Sequence, residues 1–152
     1  YEICNNLEGS HTTQKEDPME ESDSSEANSN HVLFVRTWVL VSVVENGVNI
    51  TSEMYNEPCY ADGEYITGCE PATQLFLSVS TYGTYIFAYT GSSEGTFTET
   101  NSWRWSDDTQ TAFYVGNDSD SMLITVESLN DTDAVFSEEG DQGTIYYTFS
   151  KL

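Results

Sequence analysis

The chain has very few basic residues. Four Lys and Arg residues stand against 26 Asp and Glu residues, which gives a formal net charge of −22 at pH 7. A surface with this charge repels phosphate backbones and anionic lipid headgroups over the distance that salt permits. The composition therefore excludes nucleic acid as a partner. High net charge is an ordinary means of keeping a protein soluble, so the acidity alone does not indicate a specific acidic site.

Long apolar runs and helical periodicity are also lacking. No stretch is long and apolar enough to cross a membrane as a helix, and we predict no transmembrane segment. Nowhere do about twelve consecutive residues repeat apolar side chains at the helical period. The sequence therefore predicts an all-β protein, with a short helical turn at residues 51–55 as the one exception.

Histidine is scarce, and its positions do not favour catalysis. His11 and His31 lie within or at the edge of a polar leader, where neither is expected to be held beside a nucleophile. The adjacent acid pairs at 107–108 and 138–139 fall in predicted turns, where solvated charge is the usual interpretation. We therefore predict that the protein is not an enzyme.

Metal-binding patterns are weak. Residues 117–121 and 130–133 are rich in Asn and Asp, but they lack the central Gly and distal Glu of an EF-hand loop. They are more typical of Asx turns in hairpins. Because no His accompanies Cys59 and Cys69, zinc is not expected either. We predict no metal ion and no cofactor.

The three cysteines leave two alternatives open. Cys59 and Cys69 flank a short segment that contains two glycines, and a disulfide there would constrain the unfolded chain by about 3 kcal/mol. Two free thiols are the alternative. Cys4 would then be unpaired in the polar leader.

The content of large apolar residues rises sharply near residue 32. Residues 1–31 have almost no large apolar side chain after Leu7, so they cannot bury enough surface to offset the entropy of ordering. We predict a disordered acidic tether over residues 1–31 and a folded domain over residues 32–152.

Short segments rich in β-branched and aromatic residues fill the folded part. Each is bounded by Gly, Asn, Asp or Ser, and they recur at intervals of about ten residues. Because the connections are short, the pattern favours an antiparallel up-and-down barrel of eight strands over a Greek-key sandwich. Nine segments are candidates for these strands, namely residues 32–44, 48–55, 73–81, 84–89, 95–105, 109–115, 121–129, 133–137 and 143–151.

Aromatic side chains on these strands form a candidate interior. Because side chains alternate along a strand, Tyr85, Phe87 and Tyr89 share one face. A barrel lined in this way can hold a small apolar or planar ligand, with phenol groups fixing its orientation. The alternative is a barrel filled by its own side chains. The candidate ligand-binding residues are Tyr85, Phe87, Tyr89, Trp103, Trp105 and Tyr147.

Five short motifs follow one another along residues 36–149. They are Arg36-Thr-Trp38, Cys59-Tyr-Ala-Asp62, Gly83-Thr-Tyr85, Asn101-Ser-Trp103 followed by Asp107 and Asp108, and Tyr147-Thr-Phe149. In this order and spacing, residues 33–152 resemble a lipocalin-like domain of secreted lipoproteins from Bacteroidetes-type bacteria. The family has Gly at the positions of Arg36 and Asn101, which is a departure from its pattern.

The resemblance implies a barrel that Trp38 closes at one end. In such barrels an Arg commonly covers the closing Trp through a cation–π contact, and both Arg36 and Arg104 are candidates here. The family is usually tethered by a lipid on an N-terminal cysteine. Because the residues before Cys4 do not match that pattern, lipid anchoring stays open.

These observations predict a monomeric, non-enzymatic binding protein that is secreted, periplasmic or at the cell surface. Its function would be to carry or sense a small hydrophobic or planar ligand. The alternative is an extracellular interaction module that binds a glycan or a protein through its outer surface. An accessible apolar cavity would favour the first, and a row of exposed aromatic residues across one sheet would favour the second.

Overall fold

A computed structural model describes residues 29–152 of the chain. Residues 1–28, the larger part of the predicted tether, lie outside this range, as does Cys4. Neither α-helix in the described range is long and apolar enough to span a membrane. The elements are α1 (Asn30–Phe34), β1 (Thr37–Glu45), β2 (Val48–Asn49), α2 (Thr51–Asn56), a 3₁₀ turn (Glu57–Cys59), β3 (Tyr60–Ala61), β4 (Glu64–Tyr65), β5 (Gln74–Val79), β6 (Thr84–Ser92), β7 (Gly95–Trp105), β8 (Ala112–Val115), β9 (Met122–Leu129), β10 (Asp133–Gly140) and β11 (Gly143–Lys151).

The large sheet closes on itself. From β5 to β11, each strand pairs antiparallel with the next one in the sequence. Strand β1 pairs with β5 on one side and with β11 on the other. Each of the eight strands therefore has a partner strand on both sides for at least part of its length. The result is a closed eight-stranded antiparallel barrel with up-and-down order, and this predicted fold is confirmed.

The first predicted strand begins too early. Residues 30–34 form helix α1, and β1 starts only at Thr37. The β-branched residues before Thr37 predict a strand, but the chain must turn across the end of the barrel to bury Phe34. Tertiary packing therefore overrides local propensity.

The predicted strand at residues 48–55 is also wrong over most of its length. Only Val48–Asn49 pairs as β2, and helix α2 follows, where the sequence predicted its one helical turn. The cause is local, because the Asn49 side chain accepts hydrogen bonds from both the backbone N–H (3.0 Å) and the hydroxyl (2.6 Å) of Thr51. This Asx turn ends the strand and starts the helix.

Helix α1 plugs one end of the barrel. Phe34 is fully buried, and its ring centroid lies 4.7 Å from that of Phe113 and 5.0 Å from that of Trp103. The indole N–H of Trp38, which is also fully buried, donates to the backbone carbonyl of Phe34 (3.1 Å). We call Phe34, Trp38, Trp103 and Trp105, with α1 around them, the closed end.

The folded part of the chain begins before residue 32, where the sequence analysis put the domain boundary. His31 belongs to α1, and its Nδ1 accepts a hydrogen bond from the indole N–H of Trp105 (3.1 Å). Its Nε2 lies 2.9 Å from the Thr81 hydroxyl, and its backbone N–H donates to Gln110 Oε1 (2.9 Å). Because Nδ1 accepts from Trp105, the neutral imidazole carries its proton on Nε2. His31 is thus a packing residue of the closed end.

The connection between β1 and β5 crosses to the opposite end. It contains β2, α2 and the small β3–β4 hairpin, and the Cys59–Cys69 disulfide joins the two ends of that hairpin segment. The predicted disulfide is confirmed. Helix α2 is held to the barrel wall by the Tyr55 hydroxyl, which donates to the backbone carbonyl of Leu40 (3.2 Å).

Candidate ligand cavity

The barrel contains a cavity of about 180 Å³ between the closed end and α2, open to the surface on one side. Aromatic and aliphatic side chains from six barrel strands form most of its wall, and Met54 of α2 covers part of it. The lining residues are Met54, Leu77, Tyr85, Phe87, Tyr89, Glu99, Phe113, Val115, Met122, Ile124, Phe136, Glu138, Tyr147 and Phe149.

Four of the six candidate ligand-binding residues lie in this wall. Tyr85, Phe87 and Tyr89 alternate along β6 and point inward together, and Tyr147 of β11 joins them. The alternation along β6 predicts this shared face because side chains of a strand point to opposite sides in turn.

Trp103 and Trp105, the other two candidates, are not among the side chains that line the cavity. They point inward, but they lie at the end of β7 that meets α1, where their rings pack at 90° with centroids 5.3 Å apart. The Trp103 N–H donates to the backbone carbonyl of Ser80 (3.0 Å), and Trp105 contacts His31. Both indoles are therefore part of the plug below the cavity.

The two candidate arginines occupy different places. The Arg36 guanidinium lies 5.3 Å from the ring centroid of Trp38 and forms an ion pair with Asp131 (3.1 Å). Arg104 lies instead over Tyr114 on the outside of the barrel, with its guanidinium 4.7 Å from that ring centroid. The geometry thus assigns the position over Trp38 to Arg36.

Two carboxylates that the sequence analysis did not select also face the cavity. Glu138 was interpreted as part of a turn, but β10 continues through it to Gly140, and Glu138 shares the inward face of Phe136. Glu99 shares the face of Trp103 on β7. Period-two alternation from the neighbouring aromatics was the signal that could have found both.

Only one of the two carboxylate oxygens of Glu138 accepts a hydrogen bond within residues 29–152. The Tyr147 hydroxyl donates to its Oε1 (2.5 Å), whereas its Oε2 is buried and accepts no hydrogen bond within residues 29–152. Burial, followed by the hydrogen bond to Glu138, raises the pKa of Tyr147 well above its ordinary value. Tyr147 is therefore neutral and serves as a hydrogen-bond donor.

The other two cavity tyrosines are also kept neutral. Burial raises the pKa of Tyr85 well above its ordinary value, and the charges of Glu99 and Glu138 add to this effect. Burial, with Glu99 and Glu57 as further causes, raises the pKa of Tyr89 to about 12. The same two cavity carboxylates thus influence Tyr85, which locates both near one part of the wall.

The cavity reaches the surface beside β7. Strand β7 pairs with β8 only through Trp103, Arg104 and Trp105, so the preceding part of β7 has no partner strand on that side. Glu99 lies on this unpaired part, and Glu99 and Met122 are both exposed lining residues. A small molecule can therefore reach the interior between β7 and the start of β9.

Comparisons with models of known protein families, with curated proteins and with solved structures found no match. The barrel assignment therefore rests on the strand pairing described above. The resemblance to lipocalin-like lipoproteins stays a prediction.

The cavity offers a defined chemistry. Its rings provide an apolar, planar wall, the neutral hydroxyls of Tyr85 and Tyr89 provide donors, and its two carboxylates provide acceptors. No group of three or more His, Cys, Asp or Glu side chains that could hold a metal ion occurs in the part of the chain that the structure describes. The arrangement fits recognition of a small organic molecule by stacking, hydrogen bonding and charge.

Proposed function

We propose that this protein is a non-enzymatic binding protein, which carries or senses a small molecule held inside the barrel. The observation that supports the proposal is the aromatic cavity of about 180 Å³ that reaches the surface beside Glu99 and Met122. A barrel filled by its own side chains was the alternative in the sequence analysis, and an open interior favours binding over that alternative.

The volume limits the size of the ligand. An apolar cavity of about 150 Å³ is sufficient to bind benzene, whereas pockets for drug-sized ligands measure about 300–1,000 Å³. The ligand that fits is a single ring with a short substituent. A haem or a long fatty acid would not be enclosed.

An extracellular or periplasmic location is part of the proposal. The Cys59–Cys69 disulfide supports it, because structural disulfides persist in oxidising compartments and are rare in the cytosol. The resemblance to secreted lipocalin-like lipoproteins points in the same direction.

A cavity-filling variant tests the binding function. A panel of single-ring compounds, including indole and 2-phenylethanol, would be titrated calorimetrically against the wild type, Val115→Phe and Val41→Phe. Val115 is a buried lining residue, whereas Val41 is 54% exposed on β1 and controls for the added ring. We expect binding at one site in the wild type and in Val41→Phe, and a loss of at least tenfold in Val115→Phe. Equal binding by all three proteins, or no binding by a folded wild type, would contradict the proposal.

The outer surface offers one specific alternative. Tyr60 and Tyr65 are each about half exposed and contact each other with ring centroids 5.6 Å apart, on the hairpin that the disulfide closes. Rings in such a position can stack on a sugar or contact a protein. Binding to an immobilised glycan that is lost in Tyr60→Ala/Tyr65→Ala and kept in Val115→Phe would favour this second function.

A further inference from the structure

We propose that the cavity selects a small organic cation, namely a primary alkylamine that carries a single aromatic ring, whose ammonium group is held by Glu138 with Glu99 beside it. The inference rests on the proposed function, because it names the chemical class of the ligand that the cavity binds. Four features of the structure carry it.

The first feature is the unsatisfied oxygen of Glu138. A Tyr hydroxyl has one proton, and Tyr147 donates it to Oε1, so Oε2 is left buried with no donor in the described part of the chain. Buried polar atoms without partners are rare in folded proteins, and each one calls for an explanation. An ammonium group has three donors and no acceptor, which is the complement that a bare carboxylate oxygen needs.

The second feature is the absence of a protein counter-ion within residues 29–152. Arg36 and Lys151 both pair with Asp131, and Arg104 pairs with Asp118, all at the exposed surface. None of these three cations forms an ion pair with Glu138 or Glu99. Within residues 29–152, a cationic ligand therefore meets no competing ion pair at the cavity carboxylates.

The third feature is the pairing of carboxylates with rings. Phe87, Phe136 and Phe149 line the same cavity as Glu138, and two of the cavity tyrosines are close enough to it for its charge to act on them. The faces of aromatic rings attract cations and also pack against a planar apolar body. An ammonium group joined to an aromatic ring by a short alkyl chain satisfies both parts of this wall at once.

The fourth feature is the carboxylate at the opening of the cavity. Glu99 is an exposed lining residue at the opening beside β7, on the path to the more deeply placed Glu138. An anionic ligand would meet one carboxylate at the opening and a second inside. Charge thus discriminates against anions both during approach and in the bound state.

Three probes with the same phenyl body separate charge from shape. 2-Phenylethylamine, 2-phenylethanol and phenylacetate would be titrated calorimetrically into the wild-type protein at pH 7 and moderate salt. We expect the amine to bind at least tenfold more tightly than the alcohol, which corresponds to a hydrogen bond with a charged group. We expect no measurable binding of phenylacetate.

A charge-matched pair of variants locates the effect. Glu138→Gln and Glu139→Gln each remove one negative charge, but Glu139 lies on the outer face of β10, where its Oε1 accepts from the Thr144 hydroxyl (3.0 Å). Glu139→Gln therefore controls for the attraction of any cation to a chain with a net charge of −22. We expect Glu138→Gln to weaken amine binding at least tenfold and to leave alcohol binding within about twofold, while Glu139→Gln changes neither.

The outcomes distinguish this inference from the proposed function. If the alcohol binds as tightly as the amine, or if both variants affect the amine equally, the cation proposal is overturned and binding in the cavity stands. If phenylacetate binds most tightly, the cation proposal is likewise overturned. If the folded wild type binds none of the three probes, the proposed function fails and this inference fails with it.

Discussion

Replacing Phe34 with Ala is the most direct test of the plug at the closed end. Phe34 is fully buried in a helix of only five residues, and its ring contacts those of Trp103, Trp105, Phe113 and Phe136 with centroid distances of 4.7–5.5 Å. Such a short helix has little stability of its own, so its position depends on tertiary contacts, of which the fully buried Phe34 ring is the main apolar one.

The expected loss follows from that packing. Burying a Phe side chain contributes about 1.5–3 kcal/mol through area alone. The hole left among four rigid rings adds a cavity term, which brings the loss in unfolding free energy for Phe34→Ala to about 3–5 kcal/mol. Val32 lies on the same helix but is 43% exposed, so Val32→Ala should cost less than about 1 kcal/mol.

Urea unfolding followed by tryptophan fluorescence measures both variants. All three tryptophans of the chain lie at the closed end, so the signal reports on the region that is changed. A domain of ordinary stability would still fold after the larger loss, which keeps the measurement feasible. A loss below about 1 kcal/mol for Phe34→Ala, or equal losses for the two variants, would show that α1 does not plug the barrel.

Two further predictions concern the disulfide and the cavity tyrosines. Replacing Cys59 and Cys69 together with Ser should lower the unfolding free energy by about 3 kcal/mol while the circular dichroism of the barrel is kept, because the bridge lies in a connection; unchanged stability would contradict this. Burial, with Glu99 and Glu57, raises the pKa of Tyr89 to about 12 in the folded state, so its contribution to stability is complete below about pH 10 and is lost as the pH rises towards 12. Tyr89→Phe should therefore reduce the slope of unfolding free energy against pH in that window, and an unchanged slope in urea titrations would refute the assignment.

Strand positions followed well from the sequence wherever turn residues bound the segment. The predicted strands 95–105 and 143–151 coincide with β7 and β11, because Gly starts each one and alternation continues to the end. Residues 30–34 were missed for a different reason. A helix of one turn is too short to show periodicity, and its existence depends on burying Phe34 against residues distant in the chain.

The sequence predicts which side chains point into the barrel, but not where they lie along the barrel axis. Alternation correctly groups Tyr85 with Tyr89, and it also groups Trp103 with Trp105, yet one pair lines the cavity and the other lies in the plug. Where a residue falls along the barrel axis depends on strand stagger and on which strand ends meet α1. Neither quantity is written in the local pattern of one strand.

The carboxylate of Glu138 in the cavity wall was not predicted from the sequence. Glu138 is followed by Glu139, and in a chain with 26 acidic residues such a pair is most simply assigned to a solvated turn. The structure instead places this carboxylate inside, bonded to one Tyr and with no protein cation in the described residues. An apolar side chain at that position would fill the same space without burying a charge, and it would favour folding. Local rules of this kind are broken mainly at functional or strained sites, and Glu138 is therefore the residue on which the proposed ligand class chiefly depends.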